Sequence, residues 1–236
     1  MQNKRGRSQV KEAKIPTAHT ATGPNQVWCW DITWCPGPAK GVYFYLYLIL
    51  DVFSRKIVGW EIHEEESAEN AAKLIRRTHL REEVHGQPLV LHSDNGSPMK
   101  GSSMLETLYQ LGVATSFSRP RVSNDNAYAE SIFKTCKYRP DYPYKGFLSI
   151  TEARDWVLQF SHWYNVNHKH SGLKFVTPHQ RHTGLAKKVL AKRKDVYQKA
   201  KDKNPARWSG QTRNWELVDK VHLNPARDRI EIEGVK

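Results

Sequence analysis

Val27-Trp28-Cys29-Trp30-Asp31-Ile32-Thr33-Trp34 is a run of strand-forming residues interrupted by a single acid. β-Branched and aromatic side chains favour an extended backbone, and Pro36 closes the run. Gly37 and Gly41 flank a turn, after which residues 42–50 are almost continuously apolar, with Tyr43, Tyr45 and Tyr47 at every second place. Such a stretch reads as a strand covered on both faces. A third strand is expected over 56–63, beyond the Ser54-Arg55 turn, so the three form an antiparallel meander. The pattern then changes. Ala68, Ala71, Ala72, Leu74, Ile75 and Leu80 recur at helical spacing within 67–84. Residues 88–93 read as a short buried strand ended by the turn signal Asp94-Asn95-Gly96. A helix over 102–111 and a strand over 114–117 follow, then helices over 124–138 and 149–167. The last opens on the capping-box pattern Ser149-Ile150-Thr151-Glu152 and carries an apolar stripe through Ala153, Trp156, Val157, Phe160, Trp163 and Tyr164. A meander followed by alternating helices and strands predicts an α/β fold, a mixed five-stranded sheet flanked by helices.

Outside this block the chain is basic. Residues 1–22 hold Lys4, Arg5, Arg7, Lys11 and Lys14 with almost no apolar pattern, and read as a basic arm or linker. Order is expected to begin at Gln26. From Lys187 lysines and arginines crowd together, among them Lys192, Arg193 and Lys194; residues 185–236 read as a basic C-terminal extension, with a few tail strands expected around Trp208, Trp215, Leu217 and Val221. The 236 residues carry a net charge of +13, a surplus that favours a polyanionic partner through counterion release. Three cysteines without a Cys-x-x-Cys pair argue against a disulfide framework and a structural zinc site, and fit a reducing compartment. The eleven histidines form no convincing ligand set with them and are expected mostly at the surface or facing DNA. The longest apolar run is far short of the roughly 20 residues a membrane helix needs, and no signal peptide is legible.

Asp31 inside an aromatic strand and Asp94 at a strand's carboxyl end, where open sheets place ligands, are costly positions for acids. Each alone could be a turn residue or the partner of an arginine. On the following helix, Asn126, Glu130, Lys134 and Lys137 fall within about 40° of one line, while Ala129, Ile132, Phe133 and Cys136 turn toward the core. An ordinary solvated Glu–Lys face would look the same. The three acids together are more specific, with 62 residues between the first two and 35 between the last two.

Two acids on strands and one on a later helix at that spacing resemble the DDE catalytic core of retroviral integrases and of bacterial insertion-sequence transposases of the OrfB type. The local words agree: Trp28 to Thr33, His92-Ser93-Asp94-Asn95-Gly96-Ser97, and Asn124 to Glu130. Lys137 stands seven residues after the Glu, and Lys137-Tyr138-Arg139-Pro140, Tyr164-Asn165, His170-Ser171-Gly172-Leu173 and Thr177-Pro178 continue the likeness, which covers residues 23–184. Where the family often has Arg-Pro ahead of the His-Ser pair, this chain has His168-Lys169. The resemblance implies a ribonuclease H-like core and a polynucleotidyl transferase with Asp31, Asp94 and Glu130 as catalytic residues and metal ligands. It implies two Mg²⁺ ions, with Mn²⁺ able to substitute and Asp31 bridging them, and cleavage at element ends followed by 3′-hydroxyl attack on a phosphodiester. DNA contacts are expected from Asn126, Lys134, Lys137, Lys192, Arg193 and Lys194. Joining two ends implies a homo-oligomer on DNA, in a bacterial cytoplasm at the nucleoid. The helix-turn-helix module of such transposases is not legible here, so it is implied as an N-terminal partner or fusion. The competing readings are a ribonuclease H-like nuclease, a transposase-derived DNA-binding protein without activity, and a basic ribosome- or RNA-binding protein in which the three acids are coincidental.

Overall fold

The strand that opens the sequence argument lies at the centre of the sheet. The computed structural model describes residues 17–120 and 123–225; the basic residues from Lys4 to Lys14 lie outside them. The first strands are β1 (His19–Ala21), β2 (Val27–Pro36), β3 (Tyr43–Asp51) and β4 (Ile57–His63), followed by helix α1 (Ala68–Arg81) and strand β5 (Leu89–Ser93). Helices α2 (Ser97–Lys100) and α3 (Ser102–Gln110) lead to β6 (Val113–Phe117). The main sheet runs β4-β3-β2-β5-β6. β2, β3 and β4 pair antiparallel, whereas β5 pairs parallel with both β2 and β6, which is the mixed five-stranded sheet expected.

Alternation along β2 divides the core in two. Cys29 and Cys35 face one cluster and Trp28 and Trp30 the other, as a two-residue period requires. Helix α4 (Ala127–Lys137) and helix α5 (Ile150–His162) cover the first face; α1 and α3 cover the second. The Trp28 indole is fully buried and donates to Asn25 Oδ1 at 3.0 Å, so the ring is buried without an unpaired donor.

Several boundaries differ from the sequence reading. The helix expected from 124 begins as a 3-10 turn over Ser123–Asn126 before α4. The helix expected over 149–167 ends at His162 and widens into a π turn, Trp163–Asn167. There Asn165 bonds both the N–H and the carbonyl of Ile57, at 2.9 and 3.0 Å, and so covers the open edge of β4. Ser149 caps α5 by accepting from the Glu152 N–H, but Glu152 accepts from the Leu148 N–H, so the reciprocal half of the box falls one residue early.

After a 3-10 turn at Ser171–Leu173 come α6 (Pro178–His182), the long α7 (Ala186–Lys203), a 3-10 turn at Pro205–Arg207 and β7 (Val221–Leu223). α7 buries Ala186 and Leu190, which join Leu173, Val176 and Trp215 in a small third cluster; the rest of the helix is largely exposed and rich in lysine. Regular structure also starts before Gln26. β1 pairs antiparallel with β7, and Ala21, Val221 and Leu223 are buried in the first core cluster. Among the described residues β7 is the one strand of the tail.

Candidate active site

Strand register brings the first two acids together. Cys29 of β2 is the parallel partner of His92 of β5, so Asp31 and Asp94 each follow two residues beyond the last paired position, near enough for the charge of Asp94 to bear on Asp31. Both acids sit where the parallel pair ends and the sheet opens to solvent, and both are partly buried. Asp31 Oδ1 accepts from the Ile32 N–H at 2.8 Å, and Asp94 Oδ1 from the Gly96 N–H at 3.0 Å.

Asp31 faces the side of the sheet that α4 covers, because it shares the alternation of Cys29 and Cys35. α4 buries Ala129, Ile132, Phe133 and Cys136 and leaves Glu130 exposed in its first turn, as the helical-wheel reading expected. Burial pushes the Asp31 carboxyl up to about 7, and the charges of Asp94 and, more weakly, Glu130 and Glu66 add to the push. The first two acids and the helix-borne third therefore act on a common space.

The loop leading into α4 is fastened from several sides. Arg119 donates to Asp125 through its backbone N–H, Nε and one terminal nitrogen, each at 2.9 Å, which holds the Asp125 carboxyl below its usual range. The buried His92 contacts the Asp125 carbonyl through Nε2 at 3.0 Å and Ser116 Oγ through Nδ1 at 2.9 Å. A carbonyl only accepts, so Nε2 carries the proton and Nδ1 accepts. Burial lowers the His92 pKa, consistent with that neutral ring. Asn224 Nδ2 also donates to the Asp125 carbonyl, Tyr128 Oη donates to the His222 carbonyl, and His19 Nε2 lies 2.8 Å from Ser116 Oγ. The β1–β7 ribbon is thus tied to the loop that starts α4.

The other expected contacts divide. Lys134 is exposed and Lys137 partly so, both on α4 with Glu130. Asn126 does not face solvent: it is 3% exposed, and Nδ2 donates to the Trp30 carbonyl at 3.1 Å. Lys192 and Lys194 are exposed on α7, with Lys194 Nζ 3.7 Å from Glu216. Arg193 is engaged inside the protein, donating to the carbonyls of Lys174 and Phe175 at 2.7 and 2.9 Å. Those two residues both have positive φ, and the guanidinium fixes that strained turn. His92, Asp125, Arg119 and Glu66 were not singled out from sequence. For His92 the signal was present, a histidine within an apolar strand two residues before Asp94. Trp34 holds Glu66, its Nε1 donating to the carboxylate at 2.8 Å.

Among the described residues no group of three His, Cys, Asp or Glu is arranged so that it could hold a metal ion as placed. The donor set nevertheless fits a hard divalent cation. Aspartate and glutamate supply oxygen ligands suited to Mg²⁺, and a cation would offset both the burial and the neighbouring charge that raise the Asp31 pKa. No helix among the described residues is long and apolar enough to cross a membrane.

Residues 21–123 match a family model described as integrase core domain, and residues 111–178 match a second model of the same description. The chain is 37% identical over 180 residues to the transposase for insertion sequence element IS904 of Lactococcus lactis, covering 75% of this chain and 68% of that protein. With InsK of insertion sequence element IS150 of Escherichia coli it shares 28% identity over 158 residues, 67% of this chain and 54% of the relative, so it spans about half that protein's length. Among solved structures, a chain of the simian T-cell lymphotropic virus intasome in complex with PP2A regulatory subunit B56 gamma superposes with a TM-score of 0.55 at 17% identity, over 73% of this chain and 60% of that one. The catalytic core domain of BIV integrase superposes with a TM-score of 0.51 at 18% identity, over 68% of this chain and 95% of the other. These likenesses establish the ribonuclease H-like fold.

Proposed function

Because the chain belongs to the transposases of insertion sequences that carry an integrase core domain, we propose that it cuts DNA at element ends and joins them to a target, with Asp31, Asp94 and Glu130 as its catalytic carboxylates. Residues 23–184 would form the catalytic core, to which the β1–β7 ribbon adds Ala21, Val221 and Leu223, and within residues 185–236 the lysine-rich α7 would be the basic extension. The observation that supports this reading best is the parallel β2–β5 pairing that ends two residues before Asp31 and Asp94 alike, on a sheet covered by the helix that carries Glu130.

The chemistry consists of two displacements at phosphorus. Water attacks first and releases a 3′-hydroxyl at the element end; that hydroxyl then attacks a phosphodiester of the target. Neither step needs a covalent protein–DNA intermediate. The cysteines cannot supply a nucleophile, since all three are buried and burial raises their thiol pKa values, that of Cys29 to about 12. Asp31, Asp94 and Glu130 would hold two Mg²⁺ ions, with Mn²⁺ substituting, and the ions when bound would neutralise charge on the attacking and leaving oxygens. Lys134 and Lys137, on the same helix as Glu130, would contact the DNA backbone beside the site. Lys192 and Lys194 extend the basic surface along α7. Pairing two ends calls for at least a dimer on DNA, and end recognition for a helix-turn-helix module joined or bound to this core. The site of action is the bacterial cytoplasm, on nucleoid DNA.

The test is rejoining of a branched DNA that mimics the strand-transfer product, in Mg²⁺ or Mn²⁺, by the native chain and by Glu130→Gln. The expected result is metal-dependent rejoining by the native chain, lost in the variant while DNA binding persists. Strand cutting retained by the variant would overturn the assignment of Glu130. For the extension, Lys192→Gln with Lys194→Gln should weaken DNA binding and flatten its salt dependence by up to about 2 charges; an unchanged salt slope removes α7 from the interface.

A further inference from the structure

Asn126 stands at the N-cap of α4, where an asparagine ordinarily accepts a hydrogen bond from the helix's first turn. Its side chain makes no such bond. It reaches across to β2 and donates to the carbonyl of Trp30, the residue immediately before Asp31. β2 is paired with β5 only as far as Cys29, and the amide of Asn126 takes up the next carbonyl along. Four residues later, one helical turn on, α4 presents Glu130. One side chain therefore connects the strand that carries the first acid to the helix that carries the third.

The connection is made at a cost. Asn126 is 3% exposed, and its Oδ1 is buried with no hydrogen-bond partner, the arrangement that folded proteins generally avoid. A residue kept only for stability would cap the helix or be apolar. Asp125 beside it is already held by Arg119, His92 and Asn224, so the start of α4 does not depend on Asn126 for its attachment. What Asn126 adds is a direct bond from the start of the helix that carries Glu130 to the residue before Asp31.

We propose that Asn126 is a positioning residue that sets the separation of Glu130 from Asp31, so that the two carboxylates can share a divalent cation, and that it is not a DNA contact. The inference rests on the metal-site reading above. It is a claim about ligand placement, and it is testable without turnover.

Mn²⁺ alone is titrated calorimetrically into the metal-free full chain, native and with Asn126→Ala, Asn126→Ser and Glu130→Gln, and the melting temperature and duplex-DNA affinity of each are measured. Serine can cap α4 but is too short to reach Trp30. The expected result is Mn²⁺ binding weakened by roughly tenfold or more in both Asn126 variants, the usual effect of removing a partner that orients a ligand. Their metal-free melting temperatures should stay close to the native one, because losing the orphaned Oδ1 offsets losing the bond to the Trp30 carbonyl, and DNA affinity should be retained. Unchanged Mn²⁺ affinity overturns the proposal. So does a fall in melting temperature shared by both variants, which would mark a structural tether, or lost DNA affinity with Mn²⁺ binding intact, which would mark a DNA contact. If Glu130→Gln binds Mn²⁺ as tightly as the native chain, the metal-site reading fails, and the tether with it.

Discussion

Asp31 should destabilise the metal-free protein at neutral and alkaline pH, and Asp31→Asn should therefore stabilise it. Burial, followed by the charge of Asp94, raises the Asp31 pKa from 3.8 to about 7. An acid whose pKa rises on folding opposes folding in its charged form. The penalty is absent below about 3.8, grows between the two values and is complete above about 7. Each unit corresponds to about 1.4 kcal/mol, so a rise of about three units sets an upper bound of ~4 kcal/mol. Asp31 is only partly buried and solvent screens the repulsion, so ~2 kcal/mol is the expected gain. For a chain of this size that corresponds to a melting temperature higher by ~4–8 °C. The assay is thermal unfolding with chelator present, at pH 4.5 and pH 8, for native and Asp31→Asn proteins. The expected gain is about half of its full value or less at the lower pH and full at the higher. Saturating Mg²⁺ should shrink it at pH 8 by stabilising the native protein alone. A difference that is the same at both pH values, or a destabilised variant, would refute the reasoning.

A second prediction concerns the opposite end of β3. There His182 lies 2.9 Å from Ser54 Oγ through Nδ1, and its Nε2 lies 3.1 Å from Glu82, which Lys56 also holds at 2.9 Å. Ser54 Oγ in turn donates to the fully buried Asp51 at 2.6 Å. Burial alone would lower the His182 pKa, but the Asp51 and Glu82 carboxylates raise it above 6.5. Glu82 is held down at about 2 against its own desolvation by His182 and Lys56. The contribution of His182 is complete below pH 6.5 and is lost as pH rises through its folded pKa. His182→Ala should cost ~3 kcal/mol at pH 6 and progressively less toward pH 9, read by urea unfolding; a cost independent of pH would exclude the charged histidine. A third prediction is purely steric. Gly146 has φ +103°, and a Cβ there would collide with the Gly37 carbonyl, where the following N–H of Phe147 is fastened to Pro36 at 2.9 Å. Gly146→Ala should lower stability by at least ~2 kcal/mol, and an unchanged melting temperature would show that this loop can yield.

The sequence determined the element types, the two faces of the sheet and the identity of the three acids. Residue spacing reports burial directly: apolar side chains recur with a period of two on a strand and near 3.6 on a helix. Ala129, Ile132, Phe133 and Cys136 were legible as the buried side of α4 for that reason, with Glu130 opposite. What periodicity cannot encode is which distant atom completes a polar group's hydrogen bonding. Asn126 and Trp30 are 96 residues apart, and Ser54 and His182 are 128 apart. An exposed asparagine at a helix start and a buried one that bonds another strand have the same local sequence signature. The same holds for Arg193, which reads as one more cation in a basic run until folding brings two strained carbonyls beneath it. The pairing of β1 with β7 likewise joins segments about 200 residues apart; a tail strand near Val221 was legible, but its partner, three residues long, was not. Local chemistry thus singled out the proposed catalytic carboxylates, and tertiary packing decided which polar neighbours surround them and which are engaged elsewhere, because a buried polar group is satisfied by whatever the fold places within reach.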